Sequence, residues 1–333
     1  MVTIKDIAKA CGISVTQTSR ALNNYDDVSK STKEKVHKVA KELGYVKNIT
    51  AQRLASKSSN QLAIITQGLE DDDNQVGTSV VFNTIKGINK FALSVNYEPI
   101  IYLVESKMDT SFYDFFRQRN IAGAILQGVK YDNENFQQLI KSDFPCVAID
   151  VNIEGKNKGC VVINNCYYSM IAVEKIIEKG KKNIAMISGH KHAMVTIERK
   201  IGYQTALEKN SLKFKEELVV DGEFSYDIAY KKTKKLLEDY SEIDGIFCAS
   251  DTMALGALKA IQESNKSIPK DISLFGFDGI STSRFTNPPL STIQQNYIKK
   301  GEEAARLLYE ILTKKSKERT IVVPCDVILT NSI

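Results

Sequence analysis

From Leu62 onward the sequence repeats one pattern, a short apolar run followed by a stretch with apolar residues at helical spacing. The runs read LAIIT, PIIYLV, AGAILQG, PCVAID, GCVVIN, NIAMIS, GIFCAS and ISLFGF, with helical stretches such as 82–93 and 172–177 between them. Strands alternating with helices imply parallel sheets, whose ligands lie beyond the carboxyl ends of the strands. The fold class is therefore α/β. A chain of 333 residues also exceeds the size at which one core keeps growing, so a head module and a two-lobed body fit the length.

A hydrophobic fraction of 43% and a charged fraction of 26% are ordinary for a packed soluble chain. No run approaches the roughly 18 apolar residues needed to span a bilayer, and the first nine residues lack a signal-peptide core, so a cytoplasmic protein without a membrane partner is expected. The six cysteines are scattered without a Cys-x-x-Cys pair and read as reduced packing residues. P-loop, Gly-x-Ser-x-Gly and His-Glu-x-x-His patterns are missing, and His37, His190 and His192 build no catalytic set. No catalytic residue, metal or cofactor is expected, and His190 and His192 read as surface residues.

Charge is segregated along the chain. Residues 1–60 hold eleven Lys and Arg against five Asp and Glu, and the remainder holds 34 against 35. A basic module on a neutral body suits a polyanion, because cationic side chains gain affinity by displacing condensed counterions. Within the module, Ile4, Ile7, Ala8 and Cys11 are helically spaced, with Thr3 as N-cap and Asp6 placed for reciprocal capping. Gly12 permits a sharp turn, and Ser14 caps a second helix, 15–23, whose Thr18, Ala21 and Leu22 face inward. A third helix, 31–43, carries Val36, Val39, Ala40 and Leu43 on one stripe and stops at Gly44.

Two helices this close form a helix-turn-helix, which puts the start of its second helix in the major groove. Val15, Thr16 and Arg20 then point at base edges: Val15 at a thymine methyl, Thr16 at a base or phosphate, Arg20 at guanine. Thr3, Ser14, Gln17, Ser19 and Ser29 are candidates for phosphate contacts.

The segments TIKDIAKACGISVTQTSRALNN, VSKSTKEKVHKVAKELGYVKN and ITAQRLASKSSNQLAII together resemble the head and hinge of the LacI/GalR family of transcriptional regulators, in order and spacing across the first 65 residues. The resemblance implies a DNA-binding domain over 1–47 and a hinge over 48–60, in which 48–56 forms a helix on operator DNA. That hinge would pair with its dimer mate in the minor groove through Thr50, Ala51, Leu54 and Ala55, with Leu54 inserted between base pairs. Its chemistry suits the part, since Ala51 and Ala55 allow close approach and Leu54 is an apolar wedge.

For 61–333 the resemblance implies an effector-binding body like the periplasmic binding proteins, with crossings near Val161, Thr292 and Val322. Lobe N would span about 61–161 and 292–319, and lobe C about 162–291 and 320–333. FCASDTMALGAL resembles the family's strand-to-helix turn, with Asp251 as N-cap and a candidate effector contact, while SLFGFDGISTSRFTNPPLSTI supplies Asp278 and IERKIGYQTAL supplies Arg199 to the effector cleft. Arginine and aspartate can donate to and accept from a polyhydroxylated ligand, with Phe224 stacking on its apolar face, which favours a sugar or sugar derivative. Asp150, at the end of PCVAID, is a further cleft candidate. The acidic run 70–73 reads as a solvated loop. The partners implied are double-stranded operator DNA, a small carbohydrate effector and a second copy of the chain, since a pseudo-palindromic site requires a two-fold protein.

Overall fold

The computed structural model describes residues 2–46, 59–66, 78–103, 111–129, 131–315 and 319–333. The chain divides into two compact units, Met1–Ser58 and Ser59–Ile333. The implied hinge helix lies outside the described residues.

The described residues of the first unit form three helices built from local signals. Helix α1 (Ile4–Cys11) starts at Thr3, whose amide and hydroxyl donate to the Asp6 carboxylate at 2.8 and 2.7 Å, and these bonds hold Asp6 below its ordinary pKa. It ends at Gly12, whose φ of 69° is left-handed and costs glycine no steric penalty. Helix α2 (Val15–Leu22) is capped by the Ser14 hydroxyl, which accepts from the Gln17 amide at 3.1 Å. Helix α3 (Lys30–Glu42) begins one residue earlier than its pattern suggests, because the Ser29 hydroxyl accepts from the Thr32 amide.

Ile7, Cys11, Ala21, Val28, Val36 and Ala40 form the core of this unit. Leu43 of the expected stripe is 41% exposed, because the helix has already ended when the chain reaches it. Lys35 donates to the carbonyl of Cys11 at 3.0 Å and pins the end of α1 to α3.

In the second unit the elements follow in the order β1 (Gln61–Thr66), α4 (Thr78–Ser94), β2 (Glu98–Leu103), α5 (Phe112–Gln118), β3 (Gly123–Gln127), α6 (Glu134–Lys141), β4 (Cys146–Ile149) and β5 (Lys158–Val162). Then come α7 (Asn165–Glu178), β6 (Ile184–Ser188), α8 (Met194–Lys209), β7 (Val219–Asp221), α9 (Tyr226–Asp239), β8 (Gly245–Cys248), α10 (Asp251–Glu263) and β9 (Ser273–Asp278). The chain closes with β10 (Ser291–Gln295), α11 (Tyr297–Leu312), β11 (Thr320–Val322) and β12 (Cys325–Ile328).

Two sheets result, ordered β11-β5-β4-β3-β1-β2 and β12-β10-β9-β8-β6-β7. Among the described residues all pairings are parallel except β10 with β12. This is the two-lobed α/β body that the alternation of runs and helices demands. The central strands β3, β4, β6 and β8 are buried along their whole length, as expected of strands covered on both faces.

The chain crosses between lobes three times, after Val162, at Asn296 and after Val322, where Val161, Thr292 and Val322 were anticipated. Ser291–Gln295 belongs to the second sheet, since Thr292 pairs with Gly276 of β9, and the crossing falls at Asn296. Thr320–Val322 belongs to the first sheet, since Thr320 pairs with Cys160 of β5. The lobe ranges shift accordingly, and α11 returns to pack beside α4 on the first sheet.

The α4–α11 contact depends on two glycines. A Cβ at Gly87 would lie 2.0 Å from the carbonyl oxygen of Ile298, and one at Gly301 would lie 2.0 Å from that of Thr84. Both obstacles are backbone, so neither helix can yield without moving bodily. Gly301→Ala should therefore destabilise the body by about 3 kcal/mol, the upper end for overpacking, read as a lowered midpoint in urea unfolding.

Candidate functional site

In the head, the residues expected to read base edges lie on α2. Thr18 and Ala21 turn inward, while Val15, Thr16, Gln17 and Arg20 are exposed along one side of the helix. Thr3, Ser14 and Ser29 occupy the amino ends of the three helices, where backbone N–H groups and the helix dipole favour an anion. Ser19 is half-buried, and its carbonyl accepts from the Asn23 side-chain amide at 2.9 Å. Thr50, Ala51, Leu54 and Ala55 lie outside the described residues, as does the acidic run 70–73.

In the body, the carboxyl ends of the strands gather a connected set of charged and polar side chains. Arg199, on the buried face of α8, is 4% exposed. Its Nε donates to Asn165 Oδ1 at 2.9 Å, its Nη1 donates to the Ala249 carbonyl, and its guanidinium carbon lies 3.8 Å from the centre of the Phe277 ring. Nη1 also stands 3.8 Å from Asp278 Oδ1 at the end of β9. The same Asp278 oxygen accepts from Gln295 Nε2 and from the Tyr297 hydroxyl, each at 2.9 Å. Burial raises the Asp278 pKa above the ordinary carboxylate value, and Arg199, Tyr297 and Gln295 oppose that rise.

Asp150 directly follows β4 in a left-handed conformation, with φ 63°. Its two oxygens both accept from Lys300 Nζ at 2.6 Å. Lys300 is fully buried on α11 and also donates to Gln295 Oε1 at 2.9 Å. A continuous path thus runs from Arg199 through Asp278, Gln295 and Lys300 to Asp150, from the second lobe into the first.

The structure reassigns Asp251. The N-cap of α10 is Ser250, whose hydroxyl accepts from the Met253 amide at 3.2 Å, and Asp251 is the first helical residue. It is wholly buried; Oδ1 accepts from the Thr292 hydroxyl at 2.7 Å and Oδ2 from the Ile280 amide at 2.9 Å. Burial and the nearby Asp278 carboxylate raise its pKa well above the ordinary value. Asp251 therefore braces the turn that follows Asp278 and offers no surface to a ligand.

Phe224 is half-buried with φ 56°, and its ring covers Gly189, where a Cβ would lie 2.1 Å from a ring carbon. It also meets the His190 ring edge-on at 6.0 Å, beyond the carboxyl end of β6. His192 is exposed, and its Nδ1 stands 4.0 Å from Asp132 of the first lobe.

Several participants were not anticipated from sequence. Gln295, Tyr297 and Lys300 sit on the crossing from β10 to α11; their signal was a lysine on the apolar stripe that continues through Ala304, Leu307, Leu308 and Ile311. Asn165 was hidden at the start of α7. Thr66 and Gln127, in register at the carboxyl ends of β1 and β3, are 2% and 7% exposed, and their Oγ1 and Oε1 atoms have no partner among the described residues. Unpaired buried acceptors at strand ends are what a hydrogen-bonding ligand would complete. Among the described residues no group of three or more His, Cys, Asp or Glu side chains is arranged to hold a metal ion, and no helix is long and apolar enough to cross a membrane.

Asp251→Asn replaces one of two acceptor oxygens with a donor and should cost about 1–3 kcal/mol, visible as a lower urea midpoint and faster amide exchange at Ile280. Lys300→Met leaves Asp150 without its cation. Because Asp150 keeps 27% side-chain exposure, the loss should be about 3 kcal/mol, the low end for breaking a buried pair. The double variant Lys300→Met with Asp150→Asn should lose less than the two single losses added together, a non-additivity that a double-mutant cycle would measure.

Comparison with known proteins agrees with this architecture. Residues 3–48 match the bacterial regulatory proteins of the lacI family, and 173–333 match a periplasmic binding protein-like domain. The HTH-type transcriptional regulator MalR of Clostridium butyricum is 30% identical over 99% of this chain and 98% of its own length. The probable HTH-type transcriptional repressor ExuR of Bacillus subtilis (strain 168) is 30% identical over 100% and 98%. Among solved structures, the transcriptional regulator CelR in complex with cellobiose is similar over 100% of both chains, with 25% identity and a TM-score of 0.73. The lac repressor dimer bound to operator and the anti-inducer ONPF is similar in fold over 99% of this chain and 98% of that one, with 23% identity and a TM-score of 0.85. With a helix-turn-helix head, a two-lobed binding body and full-length relatives of this kind, the chain belongs to the LacI family of bacterial transcriptional regulators.

Proposed function

We propose that this chain is an effector-responsive repressor that binds a pseudo-palindromic operator as a homodimer and takes a sugar or sugar derivative in the cleft of its body. The observation that carries the reading is the path from Arg199 and Asp278 to Lys300 and Asp150. A ligand that engages Asp278 competes with Gln295 and Tyr297 for the same carboxylate and so perturbs groups of both lobes at once. Arg199 and Asp278 offer donor and acceptor to hydroxyl groups, Thr66 and Gln127 offer unpaired acceptors, and Phe224 offers an aromatic face. The name of the relative ExuR as a repressor and the cellobiose held by CelR support the choice of function and ligand class.

In this reading residues 1–47 bind DNA and 48–60 order on it, with Thr50, Ala51, Leu54 and Ala55 in the minor groove and Leu54 as the kinking wedge. Val15, Thr16 and Arg20 read base edges, while Thr3, Ser14, Gln17, Ser19 and Ser29 set the register on phosphates. A ligand that changes lobe closure changes the spacing of the two hinges, and the coupling is of the usual size, about 1–3 kcal/mol.

The test is a thermal-shift screen of neutral sugars, uronic acids and sugar phosphates, followed by operator titration with any ligand that raises Tm. Binding should shift operator affinity roughly five- to 150-fold, and operator should shift ligand affinity by the same factor. Equal ligand affinity with and without operator would remove the coupling. Asp278→Asn and Arg199→Met should each abolish the thermal shift while leaving operator binding without ligand in place.

A further inference from the structure

Arg20, the residue of α2 suited to a guanine edge, is already held. Its Nε donates to Asp27 Oδ1 at 3.1 Å, and a terminal amino group lies against the other carboxylate oxygen. The guanidinium carbon also sits 5.0 Å from the centre of the Tyr25 ring. Tyr25 and Asp27 belong to the connection between α2 and α3, and that connection is itself tied down. The Tyr25 amide donates to the Arg20 carbonyl at 3.1 Å, the Asn24 amide to Ala21 at 3.0 Å, and the Val28 amide to Tyr25 at 3.2 Å. Val28 is buried in the head core, and Lys33 and His37 of α3 both bond Asn24. The carboxylate therefore stands on a fixed support and does not merely follow the arginine.

This grip leaves part of the guanidinium free. A guanidinium carries five N–H bonds in a rigid fork. The side-on pair with Asp27 uses the Nε–H and one N–H of the nearer terminal nitrogen. Three remain: the second N–H of that nitrogen and both of the other. Those form the end-on fork that meets O6 and N7 of guanine. The side chains of Arg20 and Asp27 are 45% and 55% exposed, and an ion pair so exposed contributes little to stability. Its effects are on orientation and on competition. The arginine has less rotamer freedom to lose on binding, and the adjacent carboxylate repels the phosphate oxygens that would otherwise attract the guanidinium.

We propose that Asp27, backed by Tyr25, is a positioning residue that aims Arg20 at a guanine edge and so determines base preference without touching a base. The proposal rests on the reading of α2 as a major-groove helix. It implies that loss of the Asp27 charge moves two quantities in opposite directions: selectivity falls and indiscriminate attraction to duplex DNA rises. A residue that only supported the fold would lower both.

The experiment selects from a random duplex pool with the full-length chain and with Arg20→Ala, Asp27→Asn, Asp27→Ala and Asp27→Glu. Affinity for one fixed duplex of unselected sequence is measured alongside. The parent should enrich a two-fold site with guanine at one position of each half, and Arg20→Ala should lose that guanine. In Asp27→Asn and Asp27→Ala the preference for guanine should fall about five-fold, the low end for losing a bidentate contact, while affinity for the unselected duplex rises. Asp27→Glu should recover part of the preference. Thermal melting of the Asp27 variants should match the parent, since the pair is exposed. A guanine preference that survives Arg20→Ala would overturn the placement of Arg20 on which the proposal rests. One that vanishes in Arg20→Ala yet stays whole in both Asp27→Asn and Asp27→Ala would overturn the role of Asp27 alone.

Discussion

The Gln295 side chain joins buried charged groups of the two lobes. Its amide nitrogen donates to Asp278 and its oxygen accepts from Lys300, which in turn holds Asp150. Charges this deep persist only when each finds its partners, because desolvation costs more than a single imperfect contact returns. The amide is suited to the place, being donor at one end and acceptor at the other, so it can face a carboxylate and an ammonium at once. A change at either lobe is therefore felt at the crossing strand, and that strand leads directly into α11, whose Gly301 lies against α4.

The head solves a different problem with the same economy of parts. Among the described residues its core is made of small and medium apolar side chains, so little of its order comes from buried area. Caps at Thr3, Ser14 and Ser29 and the cross-link from Lys35 to the end of α1 supply what the core does not. The result is a capped and cross-linked mount for α2, whose exposed Arg20 has partners on the neighbouring connection.

Local patterns carried much of this architecture. The spacing of Ile4, Ile7, Ala8 and Cys11, the turn at Gly12 and the cap at Ser14 predict the helix-turn-helix to within a residue. The apolar runs predict parallel strands, and the resemblance to the LacI/GalR family agrees with the matched relatives. Arg199 and Asp278 lie in motifs 79 positions apart, and the fold brings them to 3.8 Å. Asp251 is not the cap that its motif suggests, because Ser250 reaches the amide of Met253 first and leaves Asp251 turned inward. Lys300 and Gln295 went unremarked because a lysine and a glutamine near a helix start look like ordinary surface residues until the opposing strand ends are in place.

What the sequence determined by itself is everything that depends on neighbours along the chain: helix periods, caps, the alternation of strand and helix, and the confinement of excess positive charge to the first 60 residues. Tertiary structure alone decided which strand joins which sheet at the crossings, which polar residues lie buried, and which charges meet. The physical reason is that desolvation and long-range pairing belong to the folded ensemble of groups. Asp150 and Lys300 stand 150 residues apart, and nothing local to either shows that one carboxylate will become the partner of one buried ammonium.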